Sequence, residues 1–498
     1  MLAHPAARRS SPSDGEVDRL IERLREARVG GDYWAAHPKL PAQGYSLVVA
    51  PGRKPPSDKQ NGQVVWLRDA APVRSGRDPV VRGSCDPWHL LKGAAELVCE
   101  HGDEFVLIAA LAGVPVRYAD SVQAEPVRFA ELRRLVRSEL LDGIEYRNPF
   151  SGEPMAVVAA IDLCASWRAL IDGNRSLAGA YGFAGWKRPT TAPLLWAGTG
   201  SVPFGRAPAT LPMGAEVVIW RSRTSPATLR RLVERQAVLI EVEDGFIRSA
   251  GLGANCVPPL SIVLDRLGAH FDPRQESDLE RFLQQGEFAP SLLERAEEVR
   301  RQVVALGLSK YDIGHEALKR RADRRHLLVT GQVEDDRAVL SAVGEPLTNL
   351  ELLRKARADA PDAYIIYKPH PDVEAGHRKG AIPDAVSLTI ADEVVRDQSI
   401  SSLIGLADEV QVNSALAGFD ALMRGKAVTT HGVPFYSGWG LTRDLGPVPS
   451  RRTAKRTLPE LVAATLLVYP RYVDPVTRLP CPAEVVIARL SQGGGVSE

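Results

Sequence analysis

Apolar positions first recur at helical spacing in Glu16–Val29, where Val17, Leu20, Ile21 and Leu24 share a face ahead of Gly30-Gly31, so a helix is predicted there. Residues 1–15 are polar and rich in Pro and Ser, and predict a disordered tip. From about residue 45, short β-branched runs (Ser46–Ala50, Gly62–Leu67) alternate with helical patterns, and the alternation resumes with Pro193–Ala197, Glu216–Trp220 and Ala237–Val242. Strand–helix–strand order predicts a parallel sheet covered on both faces. Ser277 is placed to cap an amphipathic helix, and Pro290–Leu306 predicts a long helix stopped at Gly307.

The chain also resembles itself. Ala94–Val116 aligns without gaps on Leu406–Val428, at a constant offset of 312. Further on, Tyr146, Pro149 and Pro154 align on Tyr472, Pro475 and Pro480, at an offset of 326, so the C-terminal copy holds 14 more residues. The added residues fall near Val433–Asp444, which has no counterpart in the first copy. Two ordered matches imply a tandem array whose first member, residues 16–185, is an incomplete Rossmann-like repeat. A boundary is expected near Asn174–Thr191, where Gly, Pro and polar residues cluster. The C-terminal part then divides into two Rossmann-like domains, 191–310 and 311–498.

Composition narrows the partners. With 498 residues, 44% hydrophobic and 25% charged, the chain is long enough for about three compact units. Its 62 Lys and Arg against 61 Asp and Glu create no global field for nucleic acid, so an anionic partner must be met locally. Cys85, Cys99, Cys164, Cys256 and Cys481 are scattered without C-x-x-C spacing, which points to reduced thiols in a cytoplasmic protein. No apolar h-region opens the chain, and stretches such as Met155–Trp167 and Leu461–Tyr469 are too short or interrupted to span a bilayer.

Candidate chemistry gathers at predicted strand ends. Gln332, Glu334, Asp335 and Asp336 follow the run Leu327–Val329, where open α/β sheets bind ligands. This acidic turn is either a solvated one or the source of a base or nucleophile at a sugar carbon. The next strand, Tyr364–Tyr367, runs into Lys368-Pro369-His370-Pro371, where two prolines stiffen the turn and Lys368 and His370 suit a phosphate. A third strand, Glu409–Val412, leads to Asn413-Ser414 and a helix carrying Asp420, which either complements the helix dipole or reaches a ribose hydroxyl. Glu243, Asp244 and Arg248, with three glycines, follow another apolar strand and can contact an acceptor or sugar. Arg451, Arg452, Lys455 and Arg456 form either a solvated basic face or an attachment to anionic lipid. Metalloprotease, Walker, nucleophile-elbow and D-x-D motifs are absent, so a metal-independent site is expected.

Over residues 243–444 the order EDGFIRSAGLG, PLSIVLD, GQVEDD, YKPHPDV, SALAGFDALMRGKAV, PFYSGWGLTRD resembles the capsule polysaccharide β-Kdo transferases of bacteria. The resemblance implies an α/β, GT-B glycosyltransferase with two facing Rossmann-like domains, retaining stereochemistry and CMP-β-Kdo as donor, with no metal or other cofactor. It implies a (lyso)phospholipid-linked Kdo acceptor at the inner face of the cytoplasmic membrane and other capsule-assembly proteins as partners. Position by position, it implies Asp336 as the catalytic carboxylate, Gln332 and Lys368 beside the donor, His370-Pro371 and Ser414 at the CMP phosphate, and Asp420 as the acid of the nucleotide-binding helix. Asn413 stands where the family has Thr, and Asp420 where it has Glu. In the first copy Gly102 and Ile108 replace Ser414 and Asp420, so residues 16–185 are expected to lack nucleotide chemistry. Two other readings stay open: a non-catalytic scaffold of the capsule machinery, and a transferase using another CMP-sugar such as CMP-sialic acid.

Overall fold

The computed structural model describes residues 3–5, 12–49, 64–68, 80–247, 257–307, 320, 323–342 and 346–492. The chain divides into two units, one of residues 1–176 and 195–202, the other of 177–194 and 203–498.

In the first unit, β-branched runs form the strands β2 (Tyr45–Val49), β3 (Val64–Arg68), β4 (Val80–Arg82), β5 (Ala94–Cys99) and β6 (Val116–Tyr118). They make a parallel sheet in the order β4-β3-β2-β5-β6. One face of this sheet, through Leu47, Val65, Val81 and Leu97, joins a core with the helices Asp14–Ala27, Phe105–Ala112 and Phe129–Val136. The predicted first helix is observed, capped by Ser13 and Glu16 in a reciprocal box. A small antiparallel sheet joins β1 (Ala3–Pro5), β7 (Ile144–Arg147) and β8 (Pro154–Met155). Ala3–Pro5 is therefore strand within the stretch expected to be a disordered tip, because the edge of β7 offers it backbone partners.

The second unit holds two six-stranded sheets. One combines β9 (Leu177–Tyr181), β10 (Glu216–Ile219), β11 (Val238–Asp244) and β12 (Ser261–Asp265). The other combines β13 (His326–Thr330), β14 (Tyr364–Lys368), β15 (Glu393–Val394), β16 (Glu409–Val412), β17 (Ala427–Thr430) and β18 (Arg443–Asp444). The chain then returns to the first of these sheets with β19 (Pro470–Val473) and β20 (Pro480–Cys481), giving the orders β20-β19-β12-β11-β10-β9 and β15-β14-β13-β16-β17-β18. The second sheet is parallel throughout, and β13, β14 and β16 are buried at every position, as strands covered on both faces must be.

Three expectations need correction. Pro193–Ala197 is not a strand: Arg188–Leu194 is helical, and only Trp196 bridges, to Ser201. The first sheet of the second unit begins at Leu177 rather than near 191, because β9 pairs in parallel with β10. Its far edge comes from 470–481, so sequence order from 311 onward does not coincide with one sheet: β19 pairs antiparallel with β12 across a long sequence separation.

The internal repeat is structural. At an offset of 312 the helix Phe105–Ala112 falls on Ala417–Met423, and β5 and β6 fall on β16 and β17. At an offset of 326 a π-helical turn, Arg137–Leu141, falls on a second π-helical turn, Ala463–Val468, while β7 and β8 fall on β19 and β20. One hydrogen bond recurs with them: the Tyr146 hydroxyl donates to the Leu140 carbonyl at 2.9 Å, and the Tyr472 hydroxyl donates to the Leu466 carbonyl at 2.8 Å. The antiparallel set β1-β7-β8 repeats the set β12-β19-β20.

Candidate functional site

In the second parallel sheet β13 lies between β14 and β16, so the turns leaving their C-terminal ends are neighbours. Gly331 lets them close up: a Cβ there would stand 2.7 Å from the Tyr367 hydroxyl and 3.4 Å from the His370 nitrogen. Opposite them, β11 of the first sheet ends at Glu243-Asp244. A cavity of about 940 Å³ lies between, and Glu243, Asp244, Gln332, Asp336, Lys368, His370, Pro371, Ser414 and Asp420 all line it. The remaining expected contact, Arg248, lies outside the described residues.

The Gln332 turn is pinned by a residue that the sequence did not single out. Buried Asn349, the first residue of the helix Asn349–Asp359, accepts from the Gln332 nitrogen at 2.9 Å and donates to the carbonyls of Gln332 at 2.8 Å and Gly380 at 2.9 Å. The Gln332 side-chain oxygen accepts from both the nitrogen and the hydroxyl of Ser414 at 3.3 Å. It occupies the position that a phosphate oxygen would take on those donors. Gln332 Nε2, Thr330 Oγ1 and Gln398 Oε1 are buried with no hydrogen-bond partner among the described residues, and all three residues line the cavity. Buried polar atoms are ordinarily satisfied, so these three are open to the polar groups of a ligand.

His370 caps the turn Pro371–Glu374 by accepting from the Asp372 nitrogen through Nδ1 at 3.1 Å, which leaves Nε2 as the donor of the neutral ring. Lys368 is not held outward as expected. It is buried, its ammonium donates to the Arg396 carbonyl, and burial pushes its pKa below the usual lysine range. Asp336 is half-exposed and caps the turn Arg337–Leu340, accepting from the Ala338 nitrogen at 3.0 Å.

Arg337, also missed, ties this turn to the first sheet. It donates to Glu243 at 3.0 Å and to Glu241 at 2.9 Å. Burial, reinforced by the Asp244 and Glu241 carboxylates, outweighs the pull of Arg337 and raises the Glu243 pKa to about 7. Asp244 accepts from Lys187 at 3.1 Å, whose ammonium lies 3.3 Å from the centre of the Trp220 ring. Asp420 is buried in the helix Ala417–Met423, against which Tyr436 packs: its hydroxyl donates to the Ala415 carbonyl, and a Cβ on Gly418 would meet that hydroxyl at 2.2 Å. Only spacing relative to one another could have flagged these supporting residues, and they are far apart in the chain.

The extra segment of the second copy is the cavity wall bearing Pro434 and Phe435. Asp444 holds it by accepting from the Gly438 nitrogen at 2.9 Å and from Thr442 and Thr430. Arg452 donates to the carbonyls of Pro434 at 2.8 Å and Ser437 at 3.0 Å and pairs with Glu280 at 2.9 Å. Arg451 also binds Glu280, and Arg456 donates to the Leu283 carbonyl and Glu460. Most of the basic stretch is thus consumed internally, which removes it as a lipid-binding face.

Among the described residues no helix is long and apolar enough to cross a membrane, and no three or more His, Cys, Asp or Glu side chains group to hold a metal ion. Cys85, Cys99, Cys164 and Cys481 are free thiols, and Cys256 lies outside the described residues.

Residues 215–317 and 309–472 match the family described as "Capsule polysaccharide biosynthesis protein". The chain is 36% identical over 364 residues to the capsule polysaccharide modification protein LipA of Neisseria meningitidis serogroup A, covering 71% of this chain and 51% of that protein. It therefore spans about half the length of the curated relatives it matches. Two solved structures from Thermosulfurimonas dismutans align with 64% of this chain. The KpsC β-Kdo 2,4 transferase matches at 30% identity, TM-score 0.54 and 98% of its own length; the KpsC β-Kdo 2,7 transferase matches at 31%, 0.51 and 99%. On motifs, sequence match and fold together, this chain belongs to the capsule polysaccharide biosynthesis family, that of the capsule Kdo transferases.

Proposed function

We propose that the second unit is a retaining, metal-independent GT-B glycosyltransferase that moves Kdo from CMP-β-Kdo to a Kdo carried on a (lyso)phospholipid, in making the linker of a capsular polysaccharide. The protein then works in the cytoplasm, at the inner face of the membrane where its acceptor lies. The observation that carries this reading is the convergence of Asp336, His370 and Ser414 on one cavity with Glu243 across from them. Three buried polar atoms of its lining, on Thr330, Gln332 and Gln398, have no hydrogen-bond partner among the described residues.

His370 Nε2, Lys368 and the Ser414 donors take the phosphate of CMP, with Gln332 turning from Ser414 to the ligand and Asp420 serving the nucleoside side. The Asp336 carboxylate bonds to C2 of Kdo as the C2–oxygen bond to phosphate breaks, and CMP departs with the bonding pair. The acceptor hydroxyl then attacks C2, its proton passes to the Glu243 carboxylate, and Asp336 is released. Two displacements at one carbon restore its configuration. The first unit, with Gly102 and buried Ile108 where Ser414 and Asp420 stand, supplies packing or docking without nucleotide chemistry.

The test incubates the full chain with CMP-Kdo generated in place and a synthetic lipid-linked Kdo acceptor, and reads the product by mass. A product one Kdo heavier, lost in Asp336→Asn while CMP binding persists, supports the reading. CMP binding without transfer by the wild type returns the chain to a binding or scaffolding role, and transfer from CMP-sialic acid alone reassigns the donor.

A further inference from the structure

In a 2-ulosonic acid such as Kdo, the C1 carboxylate is bonded directly to the anomeric carbon. A carboxylate nucleophile at C2 therefore approaches a second anion, and the site needs a cation beside that nucleophile. The inference that follows rests on the transferase reading above.

Among the described residues the arginines lining the cavity are Arg378 and Arg396. Arg396 is held between Glu374 and Asp384, and its carbonyl engages the Lys368 ammonium. Arg378 is differently placed. Its Nε donates to Asp335 at 3.1 Å, and its Nη2 lies 3.9 Å from Asp336 Oδ2. Neither Nη group makes a hydrogen bond among the described residues. The backbone that follows it is anchored at the Gln332 turn: Glu334 N donates to the Lys379 carbonyl at 3.1 Å, and Asn349, which also binds Gln332, donates to that of Gly380. The guanidinium is thus fixed next to the nucleophile with its forked edge uncommitted.

We propose that Arg378 recognises the sugar's own carboxylate, taking the C1 group of the donor in two parallel N–H bonds beside Asp336 and so selecting 2-ulosonic acids. The carboxylate takes the Nη edge, which faces Asp336 at 3.9 Å, while Asp335 keeps Nε. The nucleophile is then set against C2 without facing an unpaired negative charge. Planar, two-point recognition suits arginine over lysine.

Arg378→Gln should bind CMP, which lacks the carboxylate, within about threefold of wild type, while kcat/KM for transfer from CMP-Kdo falls about a hundredfold. Arg378→Lys should recover part of that loss. Asp335→Asn breaks the same surface pair but keeps the guanidinium, and should transfer at least about tenfold faster than Arg378→Gln. Equal losses in Arg378→Gln and Asp335→Asn overturn the proposal, since the arginine then serves only to hold its loop. So does a parallel loss of CMP binding and transfer. If the wild type transfers Kdo and Arg378→Gln matches it, the arginine assignment alone falls. If the wild type transfers none, the transferase reading falls and this inference with it.

Discussion

At the scale of the residue, two side chains show how surroundings set chemistry. Glu243 has its pKa raised to about 7 from an ordinary 4.5, chiefly by burial, so as a base it works only once it has lost its proton. Transfer measured as kcat/KM should therefore rise with pH through about 7, and Glu243→Gln should lower the plateau and erase that limb. Linkage has the opposite sense for folding. A carboxyl with a raised pKa contributes stability that is complete below pH 4.5 and declines as pH climbs through about 7, a decline that Glu243→Gln should remove from denaturation curves. Asn349 is the structural counterpart: it satisfies the Gln332 nitrogen and carbonyl and the Gly380 carbonyl at once. Asn349→Ala leaves these groups buried and should cost about 2 kcal/mol in chemical denaturation and weaken CMP binding.

At the scale of the element, the repeated π-helical turn, strand pair and tyrosine hydrogen bond give an internal control. Tyr146→Phe and Tyr472→Phe remove the same bond from two copies of one motif. Each should lose about 1 kcal/mol in chemical denaturation, but only Tyr472→Phe lies in the unit that holds the cavity. The helix Ala417–Met423 is sensitive in another way, because Gly418 has no room for a Cβ against the Tyr436 hydroxyl. Gly418→Ala should destabilise the protein by about 2 kcal/mol and, by shifting Asp420 and Ser414, weaken CMP binding, readable by calorimetry.

At the scale of the molecule, the site depends on two sheets that meet within the second unit. Arg337 joins them by pairing from the Asp336 turn to Glu241 and Glu243 of β11. Its positive charge also holds the Glu243 pKa below where burial alone would set it. Arg337→Met should therefore move the pH limb of kcat/KM upward, a shift that loss of packing alone would not produce.

Much of this was legible in one dimension. Local patterns predicted the strands at 216, 238, 364 and 409, the helix from Pro290 and the Ser277 cap, because strand burial and capping depend on neighbours a few residues apart. Self-similarity revealed the repeat, since a duplicated packing unit keeps its residues in register. Strand-end position and motif order picked out Gln332, Asp336, His370 and Ser414, which line one cavity. Tertiary structure alone decided what depends on distance through space. It returned β19 and β20 to the first sheet, turned Arg452 inward to Glu280, brought Asn349 to the backbone of Gln332 and Gly380, and brought Arg337 and Arg378 to the carboxylates they serve. Charge pairing and hydrogen bonding act over a few ångströms, and the partners here stand tens of residues or more apart in the chain, so no periodicity records them.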